Sequence, residues 1–406
     1  MIFKRFIDEL IGDPIISDRM LLLTGPRQVG KTTTAREWLA SSHHENLYFN
    51  WDDEKTRRLF RKDANFFESM AREAGLNSRI VFDEIHKISN WKTLLKGYYD
   101  TFGSDFQFLV TGSARLELFH RAGDSMLGRY HFLHLNPLIP NEVQGLRVKP
   151  NLELNINQKV IAQKPLPQDI IETLLHFSGF PEPYQKQSER SLNLWQREYK
   201  QRIIREDMRD LTKISDFNRV EHLLELLPAR IGSPLSMNSL RGDLGCSYDA
   251  VKSIIMALNK LCVITLIRPY SHRVKNSISK EPKIYLTDWT QIDDEGARFE
   301  NFIAIQIKTF CEFITDGGFC RLELFYLRDK QKHETDFLIV RNNIPVMLIE
   351  SKVSEDSLDK NLKFFSQKFR NIKSIQVVQK PCIFKKVTPN IWILSANRFF
   401  NLLWSS

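Results

Sequence analysis

The stretch from Met20 to Thr32 reads MLLLTGPRQVGKT, an apolar run followed by a glycine-rich loop and a lysine. Its second part, Gly25–Thr32, matches the pattern G-x-x-x-x-G-K-[ST] in full. An apolar strand before such a loop and a helix after it form the context in which backbone N–H groups wrap phosphates. The stretch therefore predicts a phosphate-binding loop between a strand and a helix.

Each part of this loop has a chemical task. The glycines let the backbone approach the phosphates, Lys31 reaches the β and γ oxygens of a nucleotide, and the Thr32 hydroxyl completes the shell of a Mg²⁺ ion. A chance glycine-rich turn is the alternative, and the strand and helix around the motif argue against it. The predicted nucleotide-binding residues are Gly25, Pro26, Arg27, Gln28, Val29, Gly30, Lys31, Thr32 and Thr33.

A second apolar run, Arg79 to Phe82, ends in Asp83 and Glu84. Asp83 is placed to hold Mg²⁺ together with Thr32, and Glu84 to polarise the attacking water, as ATP hydrolysis requires. Two acids after a strand are usually a solvated strand end, but the phosphate loop favours the functional interpretation. The letters DEIH also fit a helicase box. The helical pattern after residue 168 disfavours a helicase, which needs a second strand-rich domain.

A third apolar run, Phe106 to Thr111, precedes Ser113. In P-loop ATPases with an additional strand, such a run lies between the two nucleotide-binding strands. Ser113 is therefore the candidate to orient water or contact the γ-phosphate, and a helix N-cap is the alternative. Arg129 is the candidate arginine that stabilises transition-state charge, in the same chain or from a neighbouring subunit. A plain surface charge explains Arg129 equally well.

Length and composition narrow the class of protein. The chain has 406 residues, which predicts two or three domains, and its 42% hydrophobic and 26% charged residues are globular values. The formal charge of +9 allows a polyanionic partner. Five cysteines without a C-x-x-C pair disfavour a disulfide framework or a zinc module. Because no apolar run approaches the length of a membrane span, we expect a cytoplasmic protein without a membrane partner.

The order of the patterns predicts three domains. Strands alternate with helices from Met20 to about Leu135, which indicates a parallel α/β sheet. The polar, Pro-containing residues 151–167 mark a boundary. We predict an α/β P-loop ATPase domain over residues 1–167, a helical linker with a winged helix over residues 168–290, and an α/β domain over residues 291–406.

From Val220 to Asp288 the pattern reads three helices and then a hairpin, which is the order of a winged helix-turn-helix. Ser247 is placed to cap the third helix and Lys252 to lie on its surface. A basic cluster near the hairpin turn suits contact with the phosphates of duplex DNA, and packing against another domain is the alternative. The cluster consists of Arg268, His272, Arg273, Lys275 and Lys280.

The C-terminal third carries the D…E-x-K pattern of restriction-endonuclease-like domains. Asp336 lies in a strand-like run, and the next apolar strand ends in Glu350-Ser351-Lys352. We predict that the two carboxylates bind Mg²⁺, that Glu300 adds a third, and that Lys352 activates water or steadies a phosphate. Such spacings recur by chance, so a retained fold without catalysis is the alternative.

At these motifs the chain resembles the prokaryotic AAA-type ATPases whose C-terminal half is a domain of unknown function. GPRQVGKTT, FDEIHK, TGSAR and GRYHFLHLNPL carry the resemblance in the first half, and SGFPEPY and ETDFLIV…IESK carry it in the second. The resemblance covers nearly the whole chain and implies ATP binding.

We therefore expect an ATP-hydrolysing AAA-type protein that uses Mg²⁺ and couples to a DNA-binding winged helix and a nuclease-like domain. The alternative is an ATP-dependent regulatory or assembly switch whose C-terminal fold is a catalytically inactive, protein-binding scaffold. A protein partner or a homo-oligomer fits either hypothesis. A GTPase is disfavoured because no N-K-x-D motif follows the phosphate loop.

Overall fold

The computed structural model forms two compact units, Met1–Asn136 and Pro137–Ser406. We call them the N-terminal and the C-terminal unit. The predicted boundaries at residues 167/168 and 290/291 stay predictions. The structure describes residues 2–112, 126, 128–146, 149–154, 156, 164–211, 216–271, 281–354, 357–369 and 372–405.

The N-terminal unit is built on a five-stranded parallel sheet in the order β2-β3-β4-β1-β5. The parallel α/β sheet predicted from the sequence is thereby confirmed. The order also places β4 between β1 and β3, so the third apolar run separates the two strands that precede the predicted nucleotide-binding motifs, as expected. The strands are β1 Met20–Thr24, β2 Tyr48–Asn50, β3 Ser78–Asp83, β4 Phe106–Thr111 and β5 Tyr130–His134.

An aromatic core lies under this sheet. Phe67 is fully buried, and its ring contacts five others at centroid distances of 4.8–6.0 Å. Burial of this much apolar surface holds the strands in register. The α-helices of the unit are Ile7–Ile11, Lys31–Ala40, Glu54–Lys62, Glu68–Ala74 and Trp91–Phe102, with 3₁₀ turns at Glu45–Leu47 and Ile85–Lys87.

Helices form the first part of the C-terminal unit. The described helices up to the hairpin are Pro140–Val143, Gln168–Phe177, Pro181–Lys186, Glu189–Arg202, Met208–Leu211, Phe217–Leu226, Met237–Leu244 and Tyr248–Lys260, with a π-helical turn at Ile203–Asp207 and a 3₁₀ turn at Pro228–Arg230. The later ones are Trp289–Gln291 (3₁₀), Glu295–Asp316, Lys360–Lys368 and Ala396–Leu403. Within the described ranges, no helix is both long and apolar enough to cross a membrane.

The second part of this unit is an eight-stranded mixed sheet in the order β13-β14-β12-β11-β10-β9-β7-β8. Its strands are β7 Ile264–Pro269, β8 Lys283–Leu286, β9 Leu322–Arg328, β10 Glu334–Arg341, β11 Ile344–Lys352, β12 Lys373–Val378, β13 Phe384–Thr388 and β14 Ile391–Ser395. Two short strands, β6 Lys149–Pro150 and β15 Trp404–Ser405, pair separately.

The hairpin β7–β8 belongs to this sheet. The two strands pair antiparallel from Ile264 to Ile267, and β7 then pairs in parallel with β9 at Arg268 and Pro269. The three helices before the hairpin and the strands after it therefore share one continuous structure. The sequence pattern predicts the hairpin but gives no indication of its pairing with β9.

Candidate functional site

The phosphate loop connects β1 to the helix Lys31–Ala40 through two glycines with positive φ. Gly25 has a φ of 145°, and a Cβ added there would lie 2.1 Å from the carbonyl oxygen of Leu135. Gly30 has a φ of 108° at the residue before the helix. L-residues rarely adopt these conformations, so the glycines of the motif are required by the backbone itself.

The side chains of the loop place the lysine and the first threonine at the start of the helix. Lys31 Nζ donates to the carbonyl oxygens of Gly25 at 2.9 Å and Pro26 at 2.7 Å. Thr32 and Thr33 are exposed on the first helical turn, whereas Val29 is buried. The helix therefore presents its positive N-terminal end, a lysine and hydroxyl groups on one side of the loop.

Arg5 supports the loop from the N-terminal segment. Its buried guanidinium donates to the carbonyl oxygen of Val29 at 3.0 Å and to the carbonyl oxygen of Asn136. It thereby ties the loop to the end of the sheet. Charged and apolar residues alternate in this segment, so nothing in the local sequence marks Arg5 as the side chain that turns inward.

Asp83 is the centre of a hydroxyl network at the carboxyl ends of the strands. Thr32 Oγ1 donates to Asp83 Oδ2 at 2.9 Å, and the Tyr48 hydroxyl donates to the same oxygen at 2.5 Å. Thr111 Oγ1, from the last residue of β4, donates to Oδ1. Asp83 is only 2% exposed. The structure therefore brings together Thr32 and Asp83, the two residues that we expected to share a Mg²⁺ ion.

Tyr48 and Thr111 are members of this network that the sequence pattern did not single out. Tyr48 comes from the three-residue strand β2, and the guanidinium of Arg36 lies 4.6 Å from the centre of its ring. Burial and the hydrogen bond to Asp83 raise the pKa of Tyr48, so its hydroxyl stays a donor. A polar residue at the end of a strand is the indication in the sequence, and Thr111, the last residue of β4, meets it as Ser113 does.

Glu84 follows Asp83 with a left-handed backbone, at a φ of 58°. Its backbone N–H donates to the carbonyl oxygen of Thr111 at 3.1 Å, and its Oε2 lies 3.5 Å from His86 Nε2. Burial and the charge of Asp83 raise its pKa above the ordinary carboxyl value, against the opposing effect of Lys31. A positive φ in a non-glycine residue is strained, and such strain is common at functional sites.

The other two predicted catalytic residues of this unit have different outcomes. Ser113 lies outside the described residues. Arg129 precedes β5, its carbonyl oxygen accepts from the backbone N–H of Met20, and its side chain pairs with Asp100 at 2.5 Å. Met20 begins β1, whereas the phosphate loop follows the end of β1. Arg129 therefore lies at the amino-terminal ends of the strands, away from the phosphate loop. Its catalytic role stays a prediction, and it would have to act on a neighbouring subunit.

In the C-terminal unit, the structure brings the D…E-x-K residues together. The backbone N–H of Asp336 donates to Glu350 Oε2 at 3.2 Å, and Lys352 Nζ lies 2.9 Å from Glu350 Oε1. Asp336 Oδ2 accepts from the backbone N–H of Ser351 at 2.9 Å and from its hydroxyl at 2.7 Å. Burial and the charge of Asp336 raise the pKa of Glu350 well above its usual range.

An unpredicted lysine joins this cluster from the hairpin. Lys283, on β8, is 1% exposed, and its Nζ lies 2.8 Å from Glu334 Oε1, 3.2 Å from Glu300 Oε1 and 3.5 Å from Asp336 Oδ1. Tyr285 donates to the same oxygen of Glu300 at 2.7 Å. Glu300 therefore does lie beside Asp336, as expected, but an ammonium group lies between the carboxylates.

The three helices before the hairpin are Phe217–Leu226, Met237–Leu244 and Tyr248–Lys260. Ser247 caps the third by accepting from the backbone N–H of Ala250 at 3.2 Å. The exposed face of that helix includes Tyr248, Lys252 and Met256. Of the predicted basic cluster, Arg268 lies on β7, and His272, Arg273, Lys275 and Lys280 lie outside the described residues.

The strand order and the phosphate loop define the class of the N-terminal unit as an AAA-type P-loop domain. Residues 17–144 match the family model described as an AAA domain. Residues 168–290 and 295–398 match two domains of unknown function, DUF8612 and DUF4143. The chain thus matches an AAA domain model in its first third and two models of unknown function after it.

Several proteins are similar to the chain over most of its length. An uncharacterized protein of Methanocaldococcus jannaschii is 22% identical and covers 91% of this chain and 83% of its own. An uncharacterized protein of Mycobacterium tuberculosis is also 22% identical, and the match covers 85% of this chain and 73% of that protein.

Two solved structures are also similar. The Orc1 protein of Aeropyrum pernix in complex with DNA has 15% identity, covers 73% of this chain and 90% of its own, and gives a TM-score of 0.27. AMPPCP-bound DnaA from Aquifex aeolicus has 13% identity, covers 63% and 86%, and gives a TM-score of 0.27.

Proposed function

We propose that the N-terminal unit binds and hydrolyses ATP with the help of Mg²⁺. The observation that carries the proposal is the hydrogen bond between Thr32 and Asp83, which joins the phosphate loop to the end of β3 across the inserted strand β4. A hydroxyl and a carboxylate are hard oxygen ligands, and Mg²⁺ is commonly held by one or two protein side chains together with substrate phosphates and water. These residues fit the ion.

The remaining residues supply the other tasks of phosphoryl transfer. The backbone N–H groups of Gly25 and of the residues from Arg27 to Thr33 face the phosphates together with the helix end, and Lys31 neutralises the phosphate charge. Glu84 accepts the proton of an attacking water, and its raised pKa makes it a stronger base than an ordinary carboxylate. Ser113 orients that water, and Arg129 acts on a neighbouring subunit. Mg²⁺ supplies charge stabilisation of the transferred phosphoryl group.

Thr32→Val tests the proposal, because valine keeps the size of the side chain and removes the hydroxyl. Steady-state ATP hydrolysis should fall strongly at limiting Mg²⁺ and recover in part at high Mg²⁺. Thr93→Val, at an exposed threonine on the helix Trp91–Phe102, is the matched control and should keep the activity. A Thr32→Val protein with the Mg²⁺ dependence of the wild type would contradict the proposal.

We further propose that ATP turnover is coupled to DNA contact by the segment Phe217–Leu286, which forms a winged helix. Three helices, a capped third helix and an antiparallel hairpin support this proposal. Lys252→Ala should reduce the slope of log affinity against log salt for duplex DNA by about 0.9, as expected for the loss of one phosphate contact. Lys186→Ala, an exposed lysine on another helix, serves as the control.

A second function is an ATP-dependent regulatory or assembly switch in which the C-terminal fold is a protein-binding scaffold without nuclease activity. The apolar residues Tyr248 and Met256, which are 44% and 38% exposed on the third helix, favour it. Exposed aromatic and methionine side chains are more typical of protein interfaces than of phosphate contacts. An absence of DNA binding at low salt would select this function over the first.

A further inference from the structure

The carboxylates of the predicted metal site in the C-terminal unit are already paired with groups of the chain itself. Lys283 offers three N–H donors, and three carboxylates, Glu300, Glu334 and Asp336, lie within 3.5 Å of its Nζ. We call these four residues the Lys283 junction. The other oxygen of Asp336 accepts twice from Ser351. The junction is therefore an ion-pair cluster with a cation at its centre.

This arrangement does not fit the divalent metal that a nuclease-like fold implies. Mg²⁺ binds carboxylate oxygens that are free to point at it, at 2.0–2.1 Å and in octahedral geometry. Here the inner oxygens of Glu300 and Asp336 point at an ammonium group. A metal ion beside them would meet a like charge at short range in a poorly solvated site.

The charge of Lys283 is maintained by its surroundings. Burial alone would lower the pKa of this lysine, but Glu300, Asp336 and Glu334 raise it above the ordinary value. The surrounding carboxylates therefore favour the ammonium form of the lysine. The buried carboxylates need this charge, because removing one partner of a buried ion pair leaves the others uncompensated.

We infer that Lys283 is a built-in cation that takes the place of a divalent metal ion, so that the Lys283 junction is a structural joint and not a hydrolytic centre. Its members come from three elements, namely β8, the helix Glu295–Asp316 and β10. The joint links β8 to β10 and to the helix Glu295–Asp316, in addition to the pairing of β7 with β9. The inference concerns the C-terminal unit alone and does not depend on ATP hydrolysis.

Binding of Mn²⁺ to the full-length protein without nucleotide tests the inference. Electron paramagnetic resonance measures the free Mn²⁺ concentration, from which the bound amount follows. Four proteins are compared, namely wild type, Asp336→Asn, Lys283→Met and the double variant Lys283→Met/Asp336→Asn. Wild type and Asp336→Asn should bind the same amount. Lys283→Met should gain one site that the double variant lacks. Thr32 and Asp83 are unchanged throughout, so the phosphate loop contributes equally to all four proteins.

Two results would overturn the inference. One is a Mn²⁺ site in the wild type that Asp336→Asn removes. The other is a folded Lys283→Met protein that gains no site. The wild-type and Asp336→Asn pair decides the question even where Lys283→Met fails to fold.

Thermal melting reports separately on the joint. Lys283→Met should lower the melting temperature by about 10 °C, since it leaves buried carboxylates without a countercharge. Adding Glu300→Gln should return part of that loss, because it removes one of the stranded charges. Lys186→Met, which breaks an exposed ion pair with Glu182, is the matched control and should change the melting temperature little. An equal, small effect of Lys283→Met and Lys186→Met would contradict a structural joint.

Discussion

The Thr32 hydroxyl lies 2.9 Å from Asp83 Oδ2, although the two residues are 51 positions apart in the chain. The contact exists because the phosphate loop and β3 both end at the same edge of the parallel sheet, with β4 between them. Carboxyl ends of parallel strands are where α/β folds bind their ligands. The two residues that we propose bind Mg²⁺ are therefore adjacent in the folded chain itself.

Glu84→Gln should keep ATP binding and slow hydrolysis by about 100-fold or more, because the amide keeps the size of the side chain and loses the basic oxygen. Single-turnover hydrolysis with radiolabelled ATP measures the chemical step, and a binding titration is run beside it. Glu73→Gln, an exposed glutamate on the helix Glu68–Ala74, is the control. Wild-type turnover in Glu84→Gln would assign the base to another residue.

The pH dependence of hydrolysis should reflect Glu84. A general base works only when it is deprotonated, and the pKa of Glu84 is raised by burial and by Asp83. The rate in wild type should therefore fall on acidification at a higher pH than an ordinary glutamate would cause. In Glu84→Gln the residual rate should lose this inflection. A wild-type profile that stays flat down to the ordinary carboxyl range would contradict the assignment.

Tyr48→Phe should raise the Mg²⁺ concentration needed for half-maximal hydrolysis by about tenfold, which corresponds to one hydrogen bond to a charged group. The Tyr48 hydroxyl orients Asp83 Oδ2, the oxygen that also accepts a hydrogen bond from Thr32. Saturating Mg²⁺ should restore the rate, whereas a general folding defect would not respond. Tyr99→Phe is the control and should leave the Mg²⁺ dependence unchanged. The Tyr99 hydroxyl makes a long, exposed contact of 3.4 Å with the carbonyl oxygen of Asp18.

Gly25→Ala should lower the melting temperature by about 5–10 °C, since its Cβ would collide with the carbonyl oxygen of Leu135. Gly97→Ala is the opposite case. Gly97 lies in the helix Trp91–Phe102 with open space around an added Cβ, so alanine should stabilise the protein by about 0.5–1 kcal/mol. Differential scanning calorimetry compares the two variants. Equal effects of the two substitutions would contradict the requirement for glycine at position 25.

The sequence allows the central part of the site to be predicted, because its indications are local. The loop Gly25–Thr32 and the acids Asp83 and Glu84 are recognisable from their residue types and from the apolar run that precedes each of them. Alternation of strands and helices also predicts the parallel sheet. The side chains that complete the network, Tyr48 and Thr111, reach Asp83 only through the register of β2 and β4 against β3.

The C-terminal cluster shows why longer-range features escape prediction. The D…E-x-K spacing brings Asp336 and Glu350 together through the pairing of β10 with β11. Lys283, however, enters from a hairpin that lies far earlier in the chain, and only the parallel pairing of β7 with β9 delivers it. A lysine in a basic stretch also has every appearance of a surface charge, because lysine is almost never fully buried unless it is paired.

Calorimetric titration of the full-length protein with Mg²⁺ and a non-hydrolysable ATP analogue tests the central claim most directly. Lys31→Ala should bind about 100-fold more weakly than wild type, since it removes the cation that we propose contacts the β and γ phosphates. Lys55→Ala, an exposed lysine on the helix Glu54–Lys62, should bind as wild type does. Wild-type affinity in a folded Lys31→Ala protein would contradict the assignment of Gly25–Thr32 as the nucleotide-binding loop.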